Sequence, residues 1–257
     1  MVNGIELFQQ HFAAYTDSYI LIGGSACDVH FQQAALPFRA TKDLDIVLCV
    51  EALDASFVRA FWNFVKAGGY GVRQKSNGAK QFYRFMQPTN ATYPAMLELF
   101  SRKPEQLRLA EDSCLTPIPA EDEASSLSAI LLNEDYYRLL MDTRIVQDGI
   151  SLAPPQTLMV LKAKAWMDLR ERKAAGESVD NKDIRKHRND IARLAAIATP
   201  GMMTLPPDIA ADMADFLQTY AEELPDSTAL GLSVPTADLL QTLRDLWGCP
   251  PLKCGMF

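Results

Sequence analysis

Between Tyr19 and Val50 two apolar extended runs flank a short stretch of helical character, and both junctions are unusual. The first run, YILI (19–22), passes directly into Gly23-Gly24-Ser25, and the second opens as TKDLDIVL with Asp43 and Asp45 inside it. Glycine supplies positive φ or room for a close neighbour, so two in a row at a strand-to-helix junction mark a tight, crowded turn. In a strand, residues two apart share a face. Asp43 and Asp45 therefore leave one side, while Leu44 and Ile46 face the other. A strand, a tight turn, a helix and an acid-bearing strand in succession call for a sheet with helices packed on it.

The rest of the first 154 residues fits that plan. Residues 5–15 read as a short amphipathic helix, 25–35 as a helix stopped before Pro37, and 56–67 as a helix ended by Gly68-Gly69. Strands are expected over 44–50 and 95–100, a hairpin turning at Asn77-Gly78, and a second hairpin at Asp148-Gly149. SAILL (128–132) reads as a strand, NEDYYRLLMD as a capped helix, and 101–127 as loops. After Pro154-Pro155 the character changes. Helices are expected over 156–174, 181–198, 207–222 and 236–247, punctuated by proline pairs. The expected class is α+β: a mixed β-sheet flanked by helices over residues 1–154, then a helical C-terminal unit over 155–257.

Several classes are excluded early. No run approaches the roughly 18 apolar residues of a membrane span, and MVNGIELFQQHF carries no basic n-region or long apolar core, so a cytoplasmic protein is expected. The five cysteines are scattered; CPPLKC lacks the second pair or histidines of a metal site. Net charge is −7, which argues against broad nucleic-acid binding. The segment from Leu161 to Arg193, however, holds ten Lys or Arg against six Asp or Glu. A basic segment in an acidic chain suits a confined anionic ligand.

Two carboxylates on one strand face repel, and a divalent cation relieves the repulsion. Mg²⁺ takes oxygen ligands and keeps water or phosphate oxygens in its other positions. Glu98, alone between Leu97 and Leu99 in MLELF, is a candidate third ligand if its strand lies beside the first. A D-x-D and a lone Glu also read as solvated surface. Gly24 and Ser25 open a helix whose N-terminus suits phosphate, with Ser25 either capping the helix or donating to a phosphate oxygen. Neither a Walker P-loop nor a nucleophile elbow is present.

The linked run GGSACDVHFQQAALPFRATKDLDIVL resembles the nucleotidyltransferases of the polymerase-β superfamily. Their signature is a G-[GS] turn opening a helix, then an apolar-D-x-D-apolar strand, with a third acid on a later strand. The resemblance implies a nucleotidyltransferase-type sheet, with the helical unit completing a nucleotide cleft. It implies that Gly24 and Ser25 grip the terminal phosphates, that Asp43 and Asp45 hold metal, and that Glu98 completes the site and helps deprotonate an attacking hydroxyl. Within the superfamily the run Arg39-x-Thr41-x-Asp43-x-Asp45 resembles the AbiEii-like toxins of type IV toxin–antitoxin systems. LKAKAWMDL and DIRKHRNDIARL look similar to two later motifs of that group, placing Lys162 and Asp190 in them. The last motif departs from the usual spacing, reading Lys-His-Arg-Asn-Asp. The resemblance spans about residues 18–198.

Lys162 lies in an apolar stripe with Leu158, Ala165, Trp166 and Leu169, either snorkelling or reaching for a leaving group. Lys164 with Asp168, and Lys186 with Asp190, are spaced as i,i+4 pairs, and His187 reads as packed. The expected activity is Mg²⁺- or Mn²⁺-dependent transfer of a nucleoside monophosphate from a nucleoside triphosphate to an acceptor hydroxyl, on RNA such as a tRNA end, a protein or a small molecule. Phosphate contacts are expected from Ser25, Arg39, Lys42 and Lys162, with Thr41, Lys186 and Asp190 secondary. A cognate antitoxin is the implied protein partner; no membrane is. The alternative is a protein of that shape which binds nucleotide or a partner without catalysis. A plain structural domain is a third reading. The position of Glu98 separates the first two.

Overall fold

The computed structural model describes residues 2–49, 52–72, 82–100, 130–131 and 133–248. The chain divides into two compact units. One comprises Met1–Leu132 with Leu140–Pro154, the other Asn133–Leu139 with Pro155–Phe257.

The first unit is built on a seven-stranded mixed sheet. Its elements in chain order are α1 (Ile5–Phe12), β1 (Tyr19–Ile22), α2 (Gly23–Gln33), β2 (Asp43–Leu48), α3 (Ala55–Gly68), β3 (Gly71–Val72), β4 (Phe82–Met86) and β5 (Met96–Phe100). After α4 (Glu134–Thr143) come β6 (Ile145–Gln147) and β7 (Ile150–Leu152). The order across the sheet is β3-β4-β5-β2-β1-β7-β6. β2 runs parallel to β5 and β1 parallel to β7; the other neighbours are antiparallel. All four residues of β1 are buried, as the unbroken apolar run YILI requires of a central strand. An aromatic core lies on the helices: Phe8 and Phe12 of α1 pack on Tyr19 and, with Phe57, Phe61 and Phe64 of α3, form one cluster at ring separations of 4.5–6.4 Å.

Local chemistry sets the element ends. Asp54 caps α3 by accepting from the Phe57 N–H at 2.8 Å, and Gly69 closes the helix with φ of 63°. Asp148 and Gly149 both take positive φ between β6 and β7, the requirement of a tight I′-type hairpin. α2 begins at Gly23, two residues before the start expected from Ser25; the N-cap is Ile22, and Ser25 lies inside the first turn. β2 takes in both aspartates. Ile130 and Leu131 are helical, where a strand is expected for SAILL; two apolar residues beside a capped helix carry no period of their own. The Asn77-Gly78 turn, the 101–127 loops and CPPLKC lie outside the described residues.

The second unit is helical. α5 (Pro155–Ala174), α6 (Asn181–Ile197), α7 (Pro207–Glu222) and α8 (Thr236–Trp247) pack around Trp166, which meets Phe216 and Tyr220 edge-on at 5.5 and 5.8 Å. Most of α5 from Thr157 to Trp166 is buried, a wider contact than the single stripe read from spacing. The architecture is α+β, as expected: a mixed sheet flanked by helices, then a helical unit.

Candidate active site

Strand register gathers the acidic residues. β2 and β5 pair in parallel with Asp45 opposite Glu98 and Asp43 opposite Met96. Partners in register project to the same face, so Asp45 and Glu98 stand side by side and Asp43 lies one rung along on that face. The burial of β2 alternates accordingly: Asp43 and Asp45 are half-buried while Leu44 and Ile46 are buried.

The glycine turn is fitted to this row. Gly23 holds φ of 62°, and a Cβ there would come within 1.7 Å of Asp45 Oδ2. The Gly24 N–H donates to the same oxygen at 3.2 Å. One orphan N–H of the first turn of α2 thus meets a carboxylate, the anion preference of a helix N-terminus met from within the chain. A Cβ on Gly24 would lie 2.7 Å from Thr41 Oγ1 and 3.4 Å from Arg39 Nη2. The two glycines therefore do separate things: Gly23 admits Asp45, and Gly24 admits Thr41 and Arg39. The Arg39 guanidinium also lies over the Phe38 ring at 5.1 Å, and that ring packs on Phe31 at 5.0 Å.

On its other side Glu98 meets a cation that sequence reasoning missed. Arg84 of β4 is its antiparallel partner. Arg84 Nε donates to Glu98 Oε1 at 2.8 Å, and Nη2 reaches the same oxygen at 2.6 Å. Both side chains are nearly inaccessible, at 8% and 9%. One row thus crosses four neighbouring segments: Arg84, Glu98, Asp45 and the Gly23-Gly24 turn. Burial, first, and the adjacent Asp45 carboxylate push the Glu98 carboxyl up to about 9; Arg84 acts the other way and does not offset them. The signal for Arg84 was an arginine inside the aromatic run FYRF, whose partner only the register reveals.

The remaining expected residues are placed as follows. Ser25 is buried and donates to the Ile22 carbonyl at 3.1 Å. Thr41 and Arg39 are half-buried beside the turn and Lys42 is exposed. Lys162, Lys186 and Asp190 belong to the helical unit. There Lys162 donates to Asp190 Oδ2 at 3.0 Å, with both side chains buried, and Arg193 lies 3.7 Å from Asp190 Oδ1. The Lys164–Asp168 pairing is replaced: Lys164 bonds Asp212 at 2.7 Å, and Tyr136 donates to the other Asp212 oxygen. Partners from other helices supply closer geometry than an i,i+4 neighbour. His187 is buried, as expected of a packed residue.

Every candidate donor on the sheet face is a carboxylate oxygen, the set a hard divalent cation takes. Among the described residues no three His, Cys, Asp or Glu side chains stand close enough to enclose an ion as placed. What fits such a cation is the adjacent Asp45–Glu98 pair, joined by a side-chain hydrogen bond while Glu98 keeps its proton, with Asp43 one rung away.

No family model matches the chain, and no curated protein matches it. Among solved structures it is similar to one described as "putative nucleotidyltransferase from H. pylori", with 15% identity and a TM-score of 0.41, over 94% of this chain and 90% of that one. A likeness of this depth does not bear on activity.

Proposed function

We propose that the chain is a nucleotidyltransferase whose working face is the Asp43, Asp45 and Glu98 side of the sheet. The observation that carries this reading is the register that sets Glu98 beside Asp45 while the glycine turn bonds Asp45 from the opposite side. It favours catalysis over binding alone, since a Glu98 turned away from the aspartates would have left the site without a third acid.

Asp45 and Glu98, with Asp43, would hold Mg²⁺ or Mn²⁺; when bound, the cation neutralises phosphate charge and aligns the reacting oxygens. The chain's own groups then divide the work. The acceptor oxygen forms a bond to the α-phosphorus of a nucleoside triphosphate, the bond to pyrophosphate breaks, and the acceptor proton passes to Glu98, which a bound cation would keep ionised. A carboxylate raised by burial is a stronger base than an exposed one, which suits it to that transfer. Arg39, with Thr41 beside it, meets the triphosphate near Gly24, and Lys42 adds charge at the exposed rim. Ser25, bonded to Ile22, contributes by shaping the turn. A nucleoside triphosphate is thus the proposed partner. The narrower form of the proposal, transfer onto RNA or protein by a toxin-like enzyme held by a cognate antitoxin, rests on the run from Arg39 to Asp45.

The test is to incubate the protein and Mg²⁺ with each α-labelled nucleoside triphosphate and total tRNA, protein or aminoglycosides. Label should move to one acceptor class, and both omission of Mg²⁺ and Asp45→Asn should abolish transfer. Transfer that survives Asp45→Asn would reject the assignment.

A further inference from the structure

Arg84 has no part in the scheme above, yet it sits in the same row. We propose that Arg84 is a positioning residue for the cation site, fixing one oxygen of Glu98 so that the other serves the Asp45 side. The inference rests on reading the Asp43–Asp45–Glu98 face as that site.

Arg84 and Glu98 are register partners on hydrogen-bonded strands, so neither backbone can drift relative to the other. Two guanidinium nitrogens, Nε at 2.8 Å and Nη2 at 2.6 Å, converge on Oε1 alone. Glu98 also hydrogen-bonds the Asp45 side chain, on the opposite side of the row from Arg84. A fork of fixed shape holding one carboxylate oxygen removes the rotation that an unrestrained Glu side chain keeps. Outer partners that orient metal ligands in this way matter to affinity nearly as much as the ligands. The competing role is charge alone, with Arg84 offsetting a buried acid. The two roles predict different results for lysine. In a pure charge role only the positive charge beside the buried acid matters. A lysine would then serve as well as arginine. A positioning role means that lysine, which keeps the charge and loses the fork, weakens binding.

The probe is Mn²⁺ alone, with free ion counted by electron paramagnetic resonance and no nucleotide or acceptor present. Wild type is compared with Arg84→Lys, Arg84→Gln, Glu98→Gln and the double variant Arg84→Lys/Glu98→Gln, each checked for folding by circular dichroism. Arg84→Lys should weaken Mn²⁺ binding about ten-fold, the scale of an outer-partner loss, and approach Glu98→Gln. It should add nothing once Glu98 is already glutamine. Arg84→Gln, which loses both the fork and the charge, should weaken binding at least as much. Wild-type affinity in Arg84→Lys, or tighter binding in Arg84→Gln, overturns the positioning role. Wild type that binds no Mn²⁺, or binds it equally after Asp45→Asn, overturns the cation site itself. That result is distinguishable, because it needs no Arg84 variant.

Discussion

At the scale of single residues, the two glycines answer to two different neighbours. Ala at position 23 would need left-handed backbone and would drive its Cβ into Asp45 Oδ2, whereas Ala at 24 would press on Thr41 and Arg39. Gly23→Ala should therefore lower stability by about 3 kcal/mol, combining the left-handed penalty with overpacking. Because the blocking atom ends a side chain, Asp45 should be displaced as well, and Mn²⁺ binding should fall with stability. Urea unfolding and a Mn²⁺ titration on the same variant check both. Glu98 makes a second residue-scale prediction. Its folded-state carboxyl is raised from 4.5 to about 9. Between those values the folded chain holds a proton that the unfolded chain has released, so this group's contribution to stability declines as pH rises through the window. Glu98→Gln removes that slope. Its stability relative to wild type should increase steadily from pH 5 to pH 9, measured by urea unfolding; a flat difference would show that Glu98 titrates normally.

At the scale of elements, the helical unit is tied by a buried ion pair between α5 and α6. Lys162 and Asp190 are 5% and 0% accessible and bond at 3.0 Å. Removing Lys162 takes the nearest cation from a buried carboxylate, so Lys162→Met should cost roughly 3–5 kcal/mol, and adding Asp190→Leu should recover much of it. Chemical denaturation of the three proteins checks the cycle. The same pair shows what a sequence can and cannot carry. Lys162 stood out as a lysine in an apolar stripe and Asp190 as a motif acid, each legible from its own helix. Their meeting depends on how two helices pack, which spacing along one chain does not encode. Glu98 was legible because an isolated acid between two leucines conflicts with its strand. Arg84 was not, because identifying its partner requires the register between strands 14 residues apart. The hairpin at Asp148-Gly149 and the helix end at Gly68-Gly69 were readable for the opposite reason: their chemistry is complete within a few residues. Ser25 misled, since a serine at a strand-to-helix junction looks like an N-cap, while Gly23 lets the helix begin earlier.

At the scale of the whole molecule, an acidic chain of net charge −7 presents its candidate chemistry in one α+β unit and keeps a basic segment in a helical one. No described helix is long and apolar enough to cross a membrane. The central claim is that the sheet face formed by Asp43, Asp45 and Glu98 binds a divalent cation together with a nucleoside triphosphate. Isothermal titration of ATP in the presence and absence of Mn²⁺, into wild type and Asp43→Asn/Asp45→Asn, tests it most directly. The account predicts Mn²⁺-dependent ATP binding by wild type and at least a ten-fold loss in the double variant, as expected when ligands to a cation are removed. Equal Mn²⁺-dependent binding by the two proteins would contradict it.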